Sequence, residues 1–140
     1  MNVFNIENAF RLKKERNWKT IYVAVDAHGV LIKPYHDCIE FYPGALEVMK
    51  WFSNRDDFKI ILWSSSFHRE NLELVFQLAS NGIVVDFINS NPLEHNSTKA
   101  CFDKKFYMNI GLDDKFGFEG DNDWKLVKEE LIRLGEWDKK

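Results

Sequence analysis

The stretch Ile21-Tyr22-Val23-Ala24-Val25-Asp26-Ala27-His28-Gly29 sets the frame for the whole chain. An apolar, β-branched run continues without interruption and then stops at a carboxylate. A nearly continuous run of this kind suits the centre of a parallel sheet, where both faces are covered; a strand with one wet face would alternate. The polar residues after such a strand emerge at its carboxyl end, which is where open α/β sheets bind ligands.

Three further runs extend the pattern: Lys59-Ile60-Ile61-Leu62-Trp63, Ile83-Val84-Val85-Asp86-Phe87-Ile88 and Tyr107-Met108-Asn109-Ile110-Gly111-Leu112. Helical spacing falls between and after them. Pro43 suits a first helical position, and Ala45, Val48, Met49 and Phe52 then recur at i, i+3, i+4 and i+7. The same spacing returns at Leu72, Val75, Phe76 and Ala79, with Asn81-Gly82 as a stop. A last helix is expected through Trp124, Val127, Leu131 and Leu134, capped by Asp121-Asn122-Asp123 and ending near Gly135. Strands alternating with helices predict an α/β fold, a three-layer Rossmann-like, mostly parallel sheet with helices on both faces.

The chain of 140 residues is long enough for one such domain, and it shows no repeats, low-complexity tracts or composition shifts that would mark a second. Residues 1–19 read as an amphipathic and basic N-terminal extension, with Val3, Ile6 and Phe10 at helical spacing before the run Arg11 to Lys19; residues 20–140 read as the domain itself. Asn89 to Lys105 reads as a loop. Cys38 and Cys101 form no CxxC pair and are expected reduced and buried. No long apolar run opens the chain or interrupts it, so no membrane partner is expected and the cytoplasm is the expected location. Oligomeric state is not legible in the residues.

The chemistry is expected where each strand ends. Asp26, His28 and Gly29 follow the first run, Ser64, Ser65 and Ser66 the second, and Asp113, Asp114 and Lys115 the fourth, while Lys99, Lys104 and Lys105 stand just upstream of the fourth. Carboxylates at strand ends suit Mg²⁺, which takes few protein oxygens together with waters and substrate phosphate. Asp26 can then attack phosphorus while cationic groups offset charge on the phosphoryl oxygens. A serine hydroxyl and N–H groups at a helix start can hold a further oxygen.

These residues also resemble a known family. Val-Ala-Val-Asp26-Ala-His28-Gly29-Val-Leu is similar to the first motif of the haloacid dehalogenase superfamily of aspartate-nucleophile phosphatases, and Ile-Leu-Trp-Ser64 to its second. Lys105, eight residues before Asp113, resembles the lysine of small capless members, and Ile-Gly-Leu-Asp113-Asp114-Lys115 the fourth motif. Tyr-Pro43-Gly44-Ala-Leu also looks like these proteins. The resemblance implies a Mg²⁺-dependent phosphatase working through an aspartyl-phosphate. Asp26 would be nucleophile and metal ligand, Ser64 (with Ser65 and Gly29) the phosphoryl-binding group, Lys105 the balancing charge, and Asp113 with Asp114 the rest of the metal site. It also implies a metal bond to the backbone carbonyl of His28.

The His28 side chain departs from the motif, which carries an acid/base Asp there. An imidazole can give and take a proton near neutral pH. Three outcomes follow: His28 is a working general acid/base; the protein hydrolyses weakly or transfers the phosphoryl group to another acceptor; or the fold is kept as a binding module. Ser66 is expected as a helix cap, as are Asp121 and Asp123; His36 and His68 are candidates for the site entrance, with ordinary surface histidines as the favoured alternative. Only sixteen residues separate Asp26 from Pro43, too few for a large cap domain. An open site admits nucleotides, nucleic-acid ends and sugar phosphates, so the expected partner is a phosphorylated small molecule or a nucleic-acid end. The basic run Arg11 to Lys19 leans slightly towards a polyanion.

Overall fold

The computed structural model describes residues 3–34, 38–91 and 106–139. Four strands, β1 (Ile21–Val25), β2 (Phe58–Leu62), β3 (Phe87–Ile88) and β4 (Ile110–Leu112), form one sheet in the order β3-β2-β1-β4, every pair parallel. Helices α1 (Ile6–Arg16), α2 (Ala45–Asn54), α3 (His68–Ser80) and α4 (Asp123–Arg133) pack on it. The fold is therefore the small α/β architecture expected from the alternating pattern, without a cap domain among the described residues.

Side-chain alternation explains the burial. Ile21, Val23 and Val25 of β1 join Ile60, Leu62, Ile110 and Leu112 in a core with all four helices. Ala24 and Ile61, which point to the opposite face, are buried as well. This is the two-sided burial that the uninterrupted run in β1 predicts. The N-terminal segment is part of the core, since Ile6 and Ala9 of α1 are buried in it. Lys13, Lys14 and Arg16 occupy the last turn of α1, where cations complement the helix dipole.

The edges of several elements differ from the sequence pattern for identifiable reasons. β3 is much shorter than the apolar run at 83–88. The N–H of Ile83 donates to Leu78 O and that of Val84 to Ser53 Oγ, so these residues are tied off the ladder. β4 begins at Ile110 because the Asn109 side chain takes the preceding place, its Oδ1 accepting from the Tyr22 N–H at 2.7 Å. Pro43 is not helical; Gly44, at φ +83°, is the N-cap and α2 starts one residue later. The buried stripe of α3 is Asn71, Leu74 and Leu78, not Leu72, Val75, Phe76 and Ala79. Phe76 is 75% exposed in consequence. Ser66 does not cap α3, because the N-cap is Phe67. Asn122 is the N-cap of α4, and the Asp123 carboxylate instead accepts the Glu119 N–H at 2.7 Å. Cys38 is exposed rather than buried, and Cys101 lies outside the described residues.

At the amino edge of the sheet Arg55 joins β2 to the C-terminal segment. Its Nε and Nη2 donate to the two Asp57 carboxylate oxygens at 2.9 Å, its Nη1 reaches Glu136 at 3.2 Å, and its guanidinium lies 4.9 Å from the Trp51 ring centroid. Burial alone would raise the Asp57 carboxyl, but hydrogen bonds and charge from Arg55 outweigh it and hold it below the ordinary 3.8. The stabilisation from that pair is thus present above pH 3.8 and is lost as the pH falls through the lowered value. Replacing Arg55 with Ala strips two partly buried carboxylates of their shared guanidinium and leaves them only Lys13, 3.5 Å from Asp57, and Lys139, 3.3 Å from Glu136. The expected loss is about 3 kcal/mol at neutral pH, read from urea unfolding, and smaller in acid. A loss at neutral pH no larger than that of an ordinary surface substitution, about 0.5 kcal/mol, would show that the cluster is not a structural tie.

Candidate functional site

The strand register brings the site together. Val25 is level with Leu62 and Leu112, and Leu62 with Ile88. Asp26, Trp63-Ser64, Asn89 and Asp113 therefore leave the sheet at one edge, and they line a single cleft of about 670 Å³. The Asp26 N–H donates to Leu112 O at 2.9 Å and the Trp63 N–H to Val25 O at 2.8 Å, so the ladder continues right up to the site.

Three carboxylates converge there. Asp26, Asp113 and Asp114 each offer an oxygen within 4.8 Å of the others. One Asp26 oxygen accepts the Ala27 N–H at 2.8 Å, and Asp113 Oδ1 accepts the Lys115 N–H at 2.8 Å. These bonds fix the two side chains while leaving oxygens for a ligand. Burial raises the Asp26 carboxyl first, and the negative charge of Asp113 and a hydrogen bond with Asp114 raise it further, from 3.8 to about 7. The protein thus gathers negative charge at a half-buried point where a cation would relieve it. The donor set is all oxygen, which suits a hard divalent ion such as Mg²⁺.

The loop after Asp26 is held by several independent contacts. The Ala27 carbonyl accepts from the N–H groups of Val30, Leu31 and Ile32, and the Val30 carbonyl from the indole of fully buried Trp124 at 2.7 Å. Gly29 sits at φ +84°, and a Cβ there would lie 2.9 Å from Asp114 Oδ2. Its absent side chain therefore lets Asp114 close on the loop. The Gly29 N–H is already used, donating to Ile32 O at 2.9 Å. His28 is exposed in the cleft wall, and its backbone carbonyl accepts no backbone hydrogen bond among the described residues.

Ser64 is fixed by a residue that the strand-end reading passed over. Its N–H donates to Asn89 Oδ1 at 2.7 Å and its carbonyl accepts from Asn89 Nδ2 at 2.6 Å. Asn89 directly follows β3 and adopts φ +48°, a conformation Asn tolerates better than most residues. Asking which polar residue follows the third apolar run, as for the other three, would have found it. Ser64 Oγ accepts from the Ser66 N–H at 3.1 Å, so its hydroxyl proton remains available to a ligand. Ser65 lines the cleft as well, and Trp63 and Phe116 add aromatic walls.

Other expected site residues lie elsewhere. Lys99, Lys104, Lys105 and His36 fall outside the described residues. His68 is the first residue of α3, exposed, and is not part of the cleft lining. The basic run of α1 is partly paired: Arg11 with Glu15, and Lys13 with Asp57. Asp57 precedes β2, so Lys13 lies at the sheet edge opposite to Asp26. No helix among the described residues is long and apolar enough to cross a membrane.

No family model matches the chain, and no curated protein does. Among solved structures it is similar to a conserved protein from Bacteroides thetaiotaomicron, at 23% identity over 83% of this chain and 92% of that one, with a TM-score of 0.57. That likeness is one of fold.

Proposed function

We propose that this protein is a Mg²⁺-dependent phosphomonoester hydrolase of the haloacid dehalogenase type, with Asp26 as nucleophile. The observation that carries the reading is the convergence of Asp26, Asp113 and Asp114 beside Ser64 at the carboxyl edge of a parallel sheet. Asp26, Asp113, Asp114 and the His28 carbonyl would hold Mg²⁺, whose charge offsets that of the phosphoryl oxygens. The Ala27 N–H holds one oxygen of Asp26 and leaves the other to attack phosphorus in line with the ester bond. The Ser64 hydroxyl donates to a phosphoryl oxygen from a position fixed by Asn89. The phosphorus–oxygen bond to the leaving group breaks as His28 gives that oxygen a proton. Neutral His28 then takes a proton from water as water attacks the aspartyl-phosphate, releasing inorganic phosphate and restoring Asp26.

The test is a panel of phosphate esters assayed across pH with Mg²⁺ and again with EDTA. Turnover that depends on Mg²⁺ and is abolished by chelation is the expected result. No turnover of any ester, together with failure of beryllofluoride and Mg²⁺ to protect the fold as an aspartyl-phosphate mimic, would remove the hydrolase reading and leave a binding module.

A further inference from the structure

Phe116 is out of place for a surface residue. It is 76% exposed, yet Phe118, two residues on, is buried in the core. The backbone compels the difference. The N–H groups of Phe116 and Phe118 both donate to Asp113 O, the Lys115 N–H to the Asp113 carboxylate, and the Gly117 N–H to Asp114 O, with Gly117 at φ +94°. A turn closed at four points holds the Phe116 ring outside the core, and it does so in the wall of the carboxylate cleft. Scattered apolar residues on a surface need no explanation, but an aromatic residue whose backbone is held three residues from Asp113, in the wall of the same cleft, is placed to meet a ligand there.

We propose that Phe116 is a stacking platform for the base of a nucleoside monophosphate whose phosphate lies at Asp26. This deepens the hydrolase reading and rests on it for the position of the phosphate. A flat π-face at the rim of a phosphate site recognises a planar ring whatever its hydrogen-bonding pattern. The cleft also has room for a whole nucleotide. A cavity near 150 Å³ already accommodates a benzene ring, and about 670 Å³ leaves room for a sugar between phosphate and base. The charge argues for a free nucleotide over a strand. Binding a longer strand calls for a basic groove that follows its backbone, whereas Lys115 is the one Lys or Arg in the described cleft lining and Lys13 of the basic α1 run is at the opposite sheet edge.

The experiment compares kcat/KM for adenosine monophosphate with that for glycerol phosphate in wild type, Phe116→Ala and Phe116→Trp. The ratio is expected to fall about tenfold in Phe116→Ala, the size of effect that loss of a base–aromatic stack carries, and to return in Phe116→Trp. An unchanged ratio in Phe116→Ala, with both esters still turned over, overturns the stacking platform and leaves the hydrolase reading intact. A ratio that falls equally for p-nitrophenyl phosphate, with adenosine monophosphate no better than glycerol phosphate in wild type, overturns the nucleoside. If wild type turns over no ester, titration calorimetry with adenosine monophosphate and Mg²⁺ decides: binding weakened about tenfold in Phe116→Ala supports the platform, and binding that is absent or unaffected by that change overturns it.

Discussion

Asp26→Asn should abolish turnover and, in the same protein preparation, raise the melting temperature of the metal-free fold. The two effects have one origin. The carboxylates of Asp26, Asp113 and Asp114 are crowded at a half-buried point, and folding raises the Asp26 carboxyl from 3.8 to about 7. A raised value means that the folded protein holds this proton more tightly than the unfolded chain. Its contribution to metal-free stability is therefore greatest below pH 3.8 and is lost as the pH climbs to about 7. The amide of Asn carries no charge, so the variant is spared that repulsion at neutral pH, and a rise of a few degrees is expected in a thermal melt with EDTA. Adding Mg²⁺ should stabilise the wild type and do little for the variant, because one ligand is gone. In the wild type the Mg²⁺ response should weaken as the pH falls below about 7, since a proton on Asp26 competes for the same oxygens. Turnover should drop by at least about a thousandfold, as expected when a nucleophile that acts in concert with its neighbours is removed. A variant that melts lower without metal and keeps a substantial share of the activity would show that Asp26 is a structural carboxylate.

The placement of the candidate site's residues was more legible in the sequence than parts of the fold. Asp26, Ser64, Asp113 and Asp114 are polar residues directly after apolar runs, and parallel pairing delivers all strand ends to one edge regardless of the details within the strands. Those details were less readable. Within the same thirteen residues of α3, Leu72, Val75, Phe76 and Ala79 have helical spacing, and so do Asn71, Leu74 and Leu78. Only packing against the sheet chooses between the faces, and it buries the second while leaving Phe76 in solvent. β3 was overextended for a similar reason. A β-branched run states a preference, but the donors of Ile83 and Val84 were claimed by Leu78 and Ser53. Contacts between residues far apart in the chain, such as Asn89 with Ser64 or Trp124 with Val30, have no local signature at all.

The second large effect is expected at His28, where the proposed hydrolase reading would place a carboxyl. Its side chain is exposed, lines the cleft with Asp26, and sits on a loop fixed by the Ala27 and Val30 carbonyls. Those contacts are made by the backbone, so replacing His28 should leave the loop in place. If the imidazole protonates the leaving oxygen, His28→Ala should cost about a hundredfold or more in kcat with little change in KM. The loss should depend on the ester. An alkyl alcohol is a poor leaving group and needs the proton, whereas p-nitrophenolate departs without it, so the drop should be much the smaller for p-nitrophenyl phosphate. His28→Asp separates the remaining possibilities. A carboxyl there would add a fourth negative group beside Asp26, Asp113 and Asp114, tightening Mg²⁺ binding while replacing the proton donor with one of lower ordinary pKa. An evolved imidazole acid/base therefore predicts a large loss near neutral pH and an optimum moved towards acid. A large gain in hydrolysis would mean the opposite: that His28 restrains attack by water on the aspartyl-phosphate, and that the natural acceptor of the phosphoryl group is another molecule.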